Sequence, residues 1–150
     1  MNHCYKFLAI LVIILLFLSC ANEDDWSSSV PYARVEIDIQ TQIENEFNQP
    51  FHSKKYYSGK NKIQYGGYVG VIVISNVDAS WLFAYDLCCP NEAPQKNELV
   101  MDGTVSVRCP KCNTKYSLIS SGRPESGPGT EKLKEYRNIY KNGDFYRIRN

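Results

Sequence analysis

Two short stretches set the strongest condition on any fold this chain adopts: Cys88-Cys89-Pro90-Asn91 and Cys109-Pro110-Lys111-Cys112. A fold that brings them together gathers four sulfurs into one place. A fold that separates them leaves two pairs with no shared chemistry. Thiols spaced Cys-x-x-Cys supply two ligands to a single ion without strain. Adjacent thiols do not, because neighbouring side chains on an extended strand face opposite ways. Cys88 and Cys89 therefore share an ion only if the chain bends at that point, and Pro90 is the residue that favours a bend.

The segments around these stretches read as short strands. Val35, Ile37 and Ile39 alternate with polar residues, the period of a half-buried strand. Residues 69–74, with Gly70 inside, form a largely β-branched run that predicts a buried strand. In 81–87, Trp81, Phe83, Tyr85 and Leu87 fall on one face and Leu82, Ala84 and Asp86 on the other. Residues 99–101 and 105–107 flank Asp102-Gly103, a hairpin signal. Residues 116–119 continue the sheet, and 136–140 with 145–148 make a last hairpin around Asn142-Gly143. Tyr65-Gly66-Gly67-Tyr68 predicts a turn or bulge, and 43–61, without period and with Pro50 and Gly59, a long loop. Helical period is absent, and 131–136 makes a turn at most. The pattern predicts an all-β fold, a small antiparallel β-sandwich or barrel.

The first residues stand apart. Lys6 precedes an unbroken apolar run, 7–18, which is too short for the about 20 residues that span a bilayer and ends at Ser19-Cys20. A charged start, a short apolar core and a small residue at the end make a secretory signal over 1–19. Phe17-Leu18-Ser19-Cys20 resembles a lipobox, with Cys20 as the lipidated residue and the membrane as partner. The acidic run Glu23-Asp24-Asp25 resembles a surface-export tag. The expected division is a signal peptide over 1–19, lipidated Cys20 with a flexible tether over 20–33, and one β domain over 34–150. Localisation is then the cell envelope, on the periplasmic or cell-surface face of the outer membrane. With 17 basic against 16 acidic residues and no basic run, nucleic acid is not an expected partner.

Cys109-Pro110-Lys111-Cys112-Asn113-Thr114-Lys115-Tyr116 resembles the second cluster-binding loop of Rieske iron–sulfur domains, Cys-Pro-x-His-Gly-Ser/Thr-x-Phe/Tyr. Cys89-Pro90-Asn91 resembles the first loop, Cys-Pro-His. Gly122, Gly127-Pro128-Gly129, Leu133 and Tyr136 follow the family's downstream pattern. The likeness spans about 35–150 and is closest to the Rieske-like lipoproteins of the Bacteroides and Flavobacterium group. It implies a Rieske-like β domain with two cysteine loops. The chain departs from the family at both imidazole positions, where Asn91 and Cys112 stand. The strict Rieske centre, two thiolates on one iron and two imidazoles on the other at roughly −150 to +300 mV, lacks its ligands. His3 lies in the signal, and His52 lies in the predicted loop.

Three fates stay open for the thiols. Cys88, Cys89, Cys109 and Cys112 bind one metal, zinc being the simplest, at about 2.3 Å. Alternatively they hold an all-cysteine [2Fe–2S] cluster near the plant-ferredoxin value of about −400 mV, which an exported domain would readily lose to oxidation. In the third case they oxidise, for example Cys89 with Cys109 or Cys112, each disulfide adding roughly 2–4 kcal/mol in a compartment where disulfides persist. The expected function is accordingly a lipid-anchored protein with a structural zinc site or an electron-transfer cluster. The alternative is a cofactor-free, disulfide-stapled surface lipoprotein with a binding or envelope role. No nucleophile–base pair, phosphate loop or carboxylate pair supports catalysis.

Four lesser readings complete the list. Asp86 either orders the first cysteine loop by accepting amide hydrogen bonds or is a plain surface carboxylate. Tyr56, Tyr57, Tyr65 and Tyr68 cover the rim of a small core rather than forming a recognition surface. Lys54, Lys55 and Lys60 sit on a solvated loop. Glu125 and Glu131 show no partner.

Overall fold

The computed structural model of the protein describes residues 28–59 and 64–150. From the N-terminal end the strands are β1 (Val35–Gln40), β2 (Ser53–Tyr56), β3 (Tyr65–Gly66), β4 (Val71–Ser75), β5 (Leu82–Asp86) and β6 (Val100–Met101). They continue as β7 (Ser106–Arg108), β8 (Lys115–Ser117), β9 (Pro124–Ser126), β10 (Asn138–Asn142) and β11 (Phe145–Arg149). Among the described residues there is no α-helix. The described residues form three antiparallel sheets, in the orders β10-β11-β1-β3, β2-β4-β5 and β6-β7-β8-β9. The all-β, antiparallel expectation holds.

The middle sheet explains why two cores arise from one chain. Every residue of β4 is buried, so its side chains, alternating in direction, face apolar surroundings on both sides. Val71 and Val73, with Leu82 and Ala84 of β5, face a first core completed by Val35, Ile37 and Ile39 of β1, Phe47, Tyr146 and Ile148. Ile72 and Ile74, with Tyr85 and Leu87, face a second core completed by Leu99, Val107, Tyr116, Leu118 and Leu133. The period-two reading of 81–87 is realised, with Leu82 and Ala84 on one side and Tyr85 and Leu87 on the other. Trp81 stays 37% exposed just outside the strand.

Four expectations need correction. Residues 43–61 are not a plain loop: a 3-10 turn, Asn45–Asn48, leads into β2, which pairs with β4 from Ser53↔Ile74 to Tyr56↔Val71. Ser75 fixes that approach, its Oγ accepting from His52 N (2.9 Å) and donating to Gln49 O (2.6 Å). Lys54 and Lys55 lie on this strand and pair with Glu44 (2.6 Å) and Glu98 (2.7 Å), while Tyr56 enters the first core. Second, the last hairpin turns at Gly143-Asp144, one residue later than read, because Asn142 pairs with Phe145. Gly143 takes the positive φ of 58° that the tight turn requires. Third, β9, which the sequence did not announce, joins β8.

The fourth correction concerns the tether. Ser29 donates through its N and Oγ to the Glu131 carboxylate at 2.6 and 2.5 Å, and Val30 is buried. Lys134 Nζ donates to the carbonyls of Val30 (3.2 Å) and Pro31 (2.9 Å). The part of 20–33 that is described is thus fastened to the domain. The signal over 1–19, Cys20 and residues 21–27 lie outside the described residues, as does Lys60.

Candidate metal centre

The first cysteine stretch leaves the end of β5 still extended. Leu99 N donates to Leu87 O (2.8 Å), Cys88 pairs with Glu98 in a bridge, and Cys89 N donates to Asn97 O (3.1 Å). Only after Cys89 does the chain bend, into the 3-10 turn Pro90–Glu92, where Pro90 occupies the first turn and Glu92 N donates to Cys89 O. The adjacent cysteines therefore point apart. Cys88 Sγ lies 3.4 Å from Gln95 O, whereas Cys89 Sγ lies 3.7 Å from Cys112 Sγ.

The second stretch caps the hairpin β7–β8. Cys109 N donates to Thr114 O (2.9 Å) and Asn113 N to Cys109 O (3.0 Å), with Asn113 in the left-handed region at φ 60°. This tight return lays Cys112 over Cys109. The sulfurs of Cys89, Cys109 and Cys112 all lie within 4.8 Å of one another. Cys88, expected as a fourth ligand, does not belong to this group, and the extended backbone at 88–89 is the reason. Asn91 is exposed on the 3-10 turn. All four cysteines are free thiols in this structure.

The residues supporting the sulfurs are specific. Thr114, fully buried, accepts from Gly129 N at 2.9 Å and lies 3.2 Å from Cys112 Sγ. With one lone pair of Oγ1 engaged by the amide, its own O–H is free to donate to Cys112 once that sulfur is a thiolate. Tyr116 O–H lies 3.7 Å from Cys89 Sγ. Gly127 has φ 98°, and a Cβ there would stand 2.6 Å from Thr114 Cα, so only glycine lets this segment press onto the loop. Lys111 and Glu92 join the two loop tips at 2.9 Å.

Asp86 acts from below. It is fully buried and accepts from Tyr68 N (2.7 Å) and Tyr136 O–H (2.7 Å) through Oδ2, and from Cys88 N (2.8 Å) through Oδ1. Of its two readings, the loop-ordering one is realised. Thr114, Tyr116 and Lys111 were present in the motif but were not picked out. Their closeness to Cys112 in the chain was the available signal.

The thiols are electrically unequal. Burial, followed by the hydrogen bond with Cys109, pushes Cys89 up to about 12. Burial, followed by the Asp86 charge, pushes Cys88 up to about 11. Cys112 goes the other way: partial burial opposes ionisation, but hydrogen bonds from Thr114 and the neighbouring sulfurs outweigh it and bring the thiol down to about 7. Lowered thiol pKa is the usual mark of a sulfur prepared to bind a metal or react.

A tetrahedral zinc ion bonded to sulfur at about 2.3 Å sets its ligand sulfurs ~3.8 Å apart, and Cys89 and Cys112 stand at 3.7 Å. A binuclear iron–sulfur cluster divides its protein ligands between two irons at opposite ends. Three sulfurs gathered within 4.8 Å match one ion instead. A disulfide needs about 2.05 Å between sulfurs, so the same pair stands in contact, unbonded. Compared with protein-family models, curated proteins and solved structures, the chain matches none.

Proposed function

We propose that this chain is an envelope-anchored β domain that holds one zinc ion on Cys89, Cys109 and Cys112. The observation that carries the reading is the convergence of these three sulfurs within 4.8 Å of one another at the end of a packed core. Three thiols ionised side by side repel one another, and a divalent ion removes that repulsion. The anchor rests on the lipobox-like Phe17-Leu18-Ser19-Cys20. The Rieske-like descent of the scaffold rests on the two loop motifs, with Cys112 serving as a thiolate where the family uses imidazole and Asn91 contributing nothing to the ion.

The test is metal and thiol analysis of the full chain purified without oxygen. The reading expects one zinc per chain, lost in Cys89→Ser, Cys109→Ser and Cys112→Ser. Iron with visible absorbance in place of zinc would return the electron-transfer cluster. A second reading, the disulfide-stapled lipoprotein, is favoured by the 3.7 Å contact of Cys89 with Cys112. It expects no metal and one reducible bridge between those two residues. For the anchor, Cys20→Ala is expected to release the protein from membranes, and a variant that still sediments with them overturns it.

A further inference from the structure

A zinc ion bound by three protein groups keeps a vacant fourth position, and closed structural sites have none. Among the described residues no fourth donor comes from the interior. Cys88 Sγ is turned to Gln95 O at 3.4 Å. The Tyr116 and Thr114 hydroxyls lie at 3.7 and 3.2 Å from ligand sulfurs. Cys89 and Cys109 belong to the second core, where Leu99, Val107 and Leu118 offer no ligand atom and the polar atoms are the hydroxyls of Tyr85 and Tyr116. Cys112 is half-exposed, and on either side of it Lys111 and Asn113 are exposed. The site thus backs onto the second core and opens outward at Cys112.

We propose that the fourth position binds an external thiolate, and that the site exchanges its zinc with thiol-bearing partners rather than locking it in place. The proposal rests on the three-thiolate zinc reading above. A soft donor is favoured because an ion already held by three sulfurs is matched by a fourth. The step is a ligand exchange without electron transfer. The incoming thiol gives its proton to solvent and forms a zinc–sulfur bond. In hand-over the bond to Cys112, the one ligand half-open to water, breaks first; further partner thiols, each giving its proton to solvent, then replace Cys89 and Cys109, and each freed sulfur takes up a proton.

The full chain loaded with cobalt(II) in place of zinc, without oxygen, tests this directly, with 2-mercaptoethanol and imidazole as probes. The expected result is a cobalt band that shifts saturably with the thiol and far less with imidazole. Sulfur-to-cobalt absorption should rise by about one third as three thiolates become four. Cys88→Ser should respond identically. On the zinc form, capture of the ion by a colorimetric chelator should accelerate in proportion to added thiol. A cobalt spectrum indifferent to thiol, or one that loses a quarter of its sulfur absorption (about one thiolate of four) in Cys88→Ser, overturns the open position and leaves zinc binding intact. Failure to bind cobalt or zinc at all overturns the zinc reading and this inference with it.

Discussion

The two faces of one β-sheet support different things. On one side of β4 and β5 the core is aliphatic and aromatic, and two of its tyrosine hydroxyls find acceptors outside it: Tyr56 O–H donates to Glu44 (2.6 Å) and Tyr146 O–H to Ser80 O (3.1 Å). On the other side the core begins the same way, with Ile72, Ile74 and Leu87, but ends in sulfur at Cys89 and Cys109, with Cys112 at its edge. A protonated thiol packs as a small hydrophobe, so both cores close without assistance. They differ once the thiols ionise, because one holds a latent charge cluster and the other does not. The first core is a frame, and the second is a frame that ends in three gathered sulfurs.

The largest expected effect falls where the two cores meet. Asp86→Ala removes the acceptor of Tyr68 N, Cys88 N and Tyr136 O–H at once. Orphaned buried donors cost ~1–3 kcal/mol each, and some will find other partners, so a loss of about 3–5 kcal/mol is expected in denaturant unfolding. A loss under 1 kcal/mol would mean that Asp86 does not join the two sides.

A matched pair separates frame from site. Ile37→Ala in the first core and Leu99→Ala in the second each remove a fully buried side chain, at about 2–5 kcal/mol. Both should lower the melting temperature of the metal-free chain by similar amounts. Only Leu99→Ala should also weaken zinc in a competition titration, since the Leu99 side chain packs in the core that includes Cys89 and Cys109. Equal zinc affinity in the two variants would show that the cores are not functionally distinct.

Much of the frame was legible and little of the site. The strands β1, β4 and β5 announced themselves because their apolar residues alternate or run unbroken, and both patterns follow from the faces they bury. β2 did not. Its sequence, Ser53-Lys54-Lys55-Tyr56, is that of an edge strand whose lysines pair across space with Glu44 and Glu98. Such partners, 10 and 43 positions away in the chain, leave no local period. Glu131 was unreadable for the same reason, its partner Ser29 being 102 positions distant. The gathering of the two loops was foreseen from cysteine spacing. The exclusion of Cys88 depended on where the bend falls, and the sequence leaves open whether that is before or after Cys89.

Finer control of the site should come from Thr114. Thr114→Val keeps the shape and removes the donor to Cys112 and the acceptor of Gly129 N. Loss of a group hydrogen-bonded to a metal ligand typically costs 10–100-fold in affinity, and that range is expected for zinc. In the metal-free, reduced chain, alkylation of Cys112 should show a midpoint near pH 7. In Thr114→Val the midpoint should move upward, towards the ordinary thiol range, because the hydrogen bonds that favour the thiolate are gone. An unmoved midpoint would assign the lowered value to the neighbouring sulfurs instead.

The smallest effect is the most discriminating. Cys88 and Cys89 are neighbours, both buried, and no feature of composition distinguishes them. Geometry does: the bridge of Cys88 with Glu98 and the bond from Cys89 N to Asn97 O keep the backbone extended through both residues, which sends one sulfur to the Gln95 carbonyl and the other to the cluster. Cys88→Ser retains a donor for that carbonyl and should cost only about 1 kcal/mol, with zinc content and affinity unchanged. Cys89→Ser, one position along, should abolish binding. If Cys88→Ser also loses its zinc, the chain must bend before Cys89 rather than after it, and the second core would end in four sulfurs instead of three.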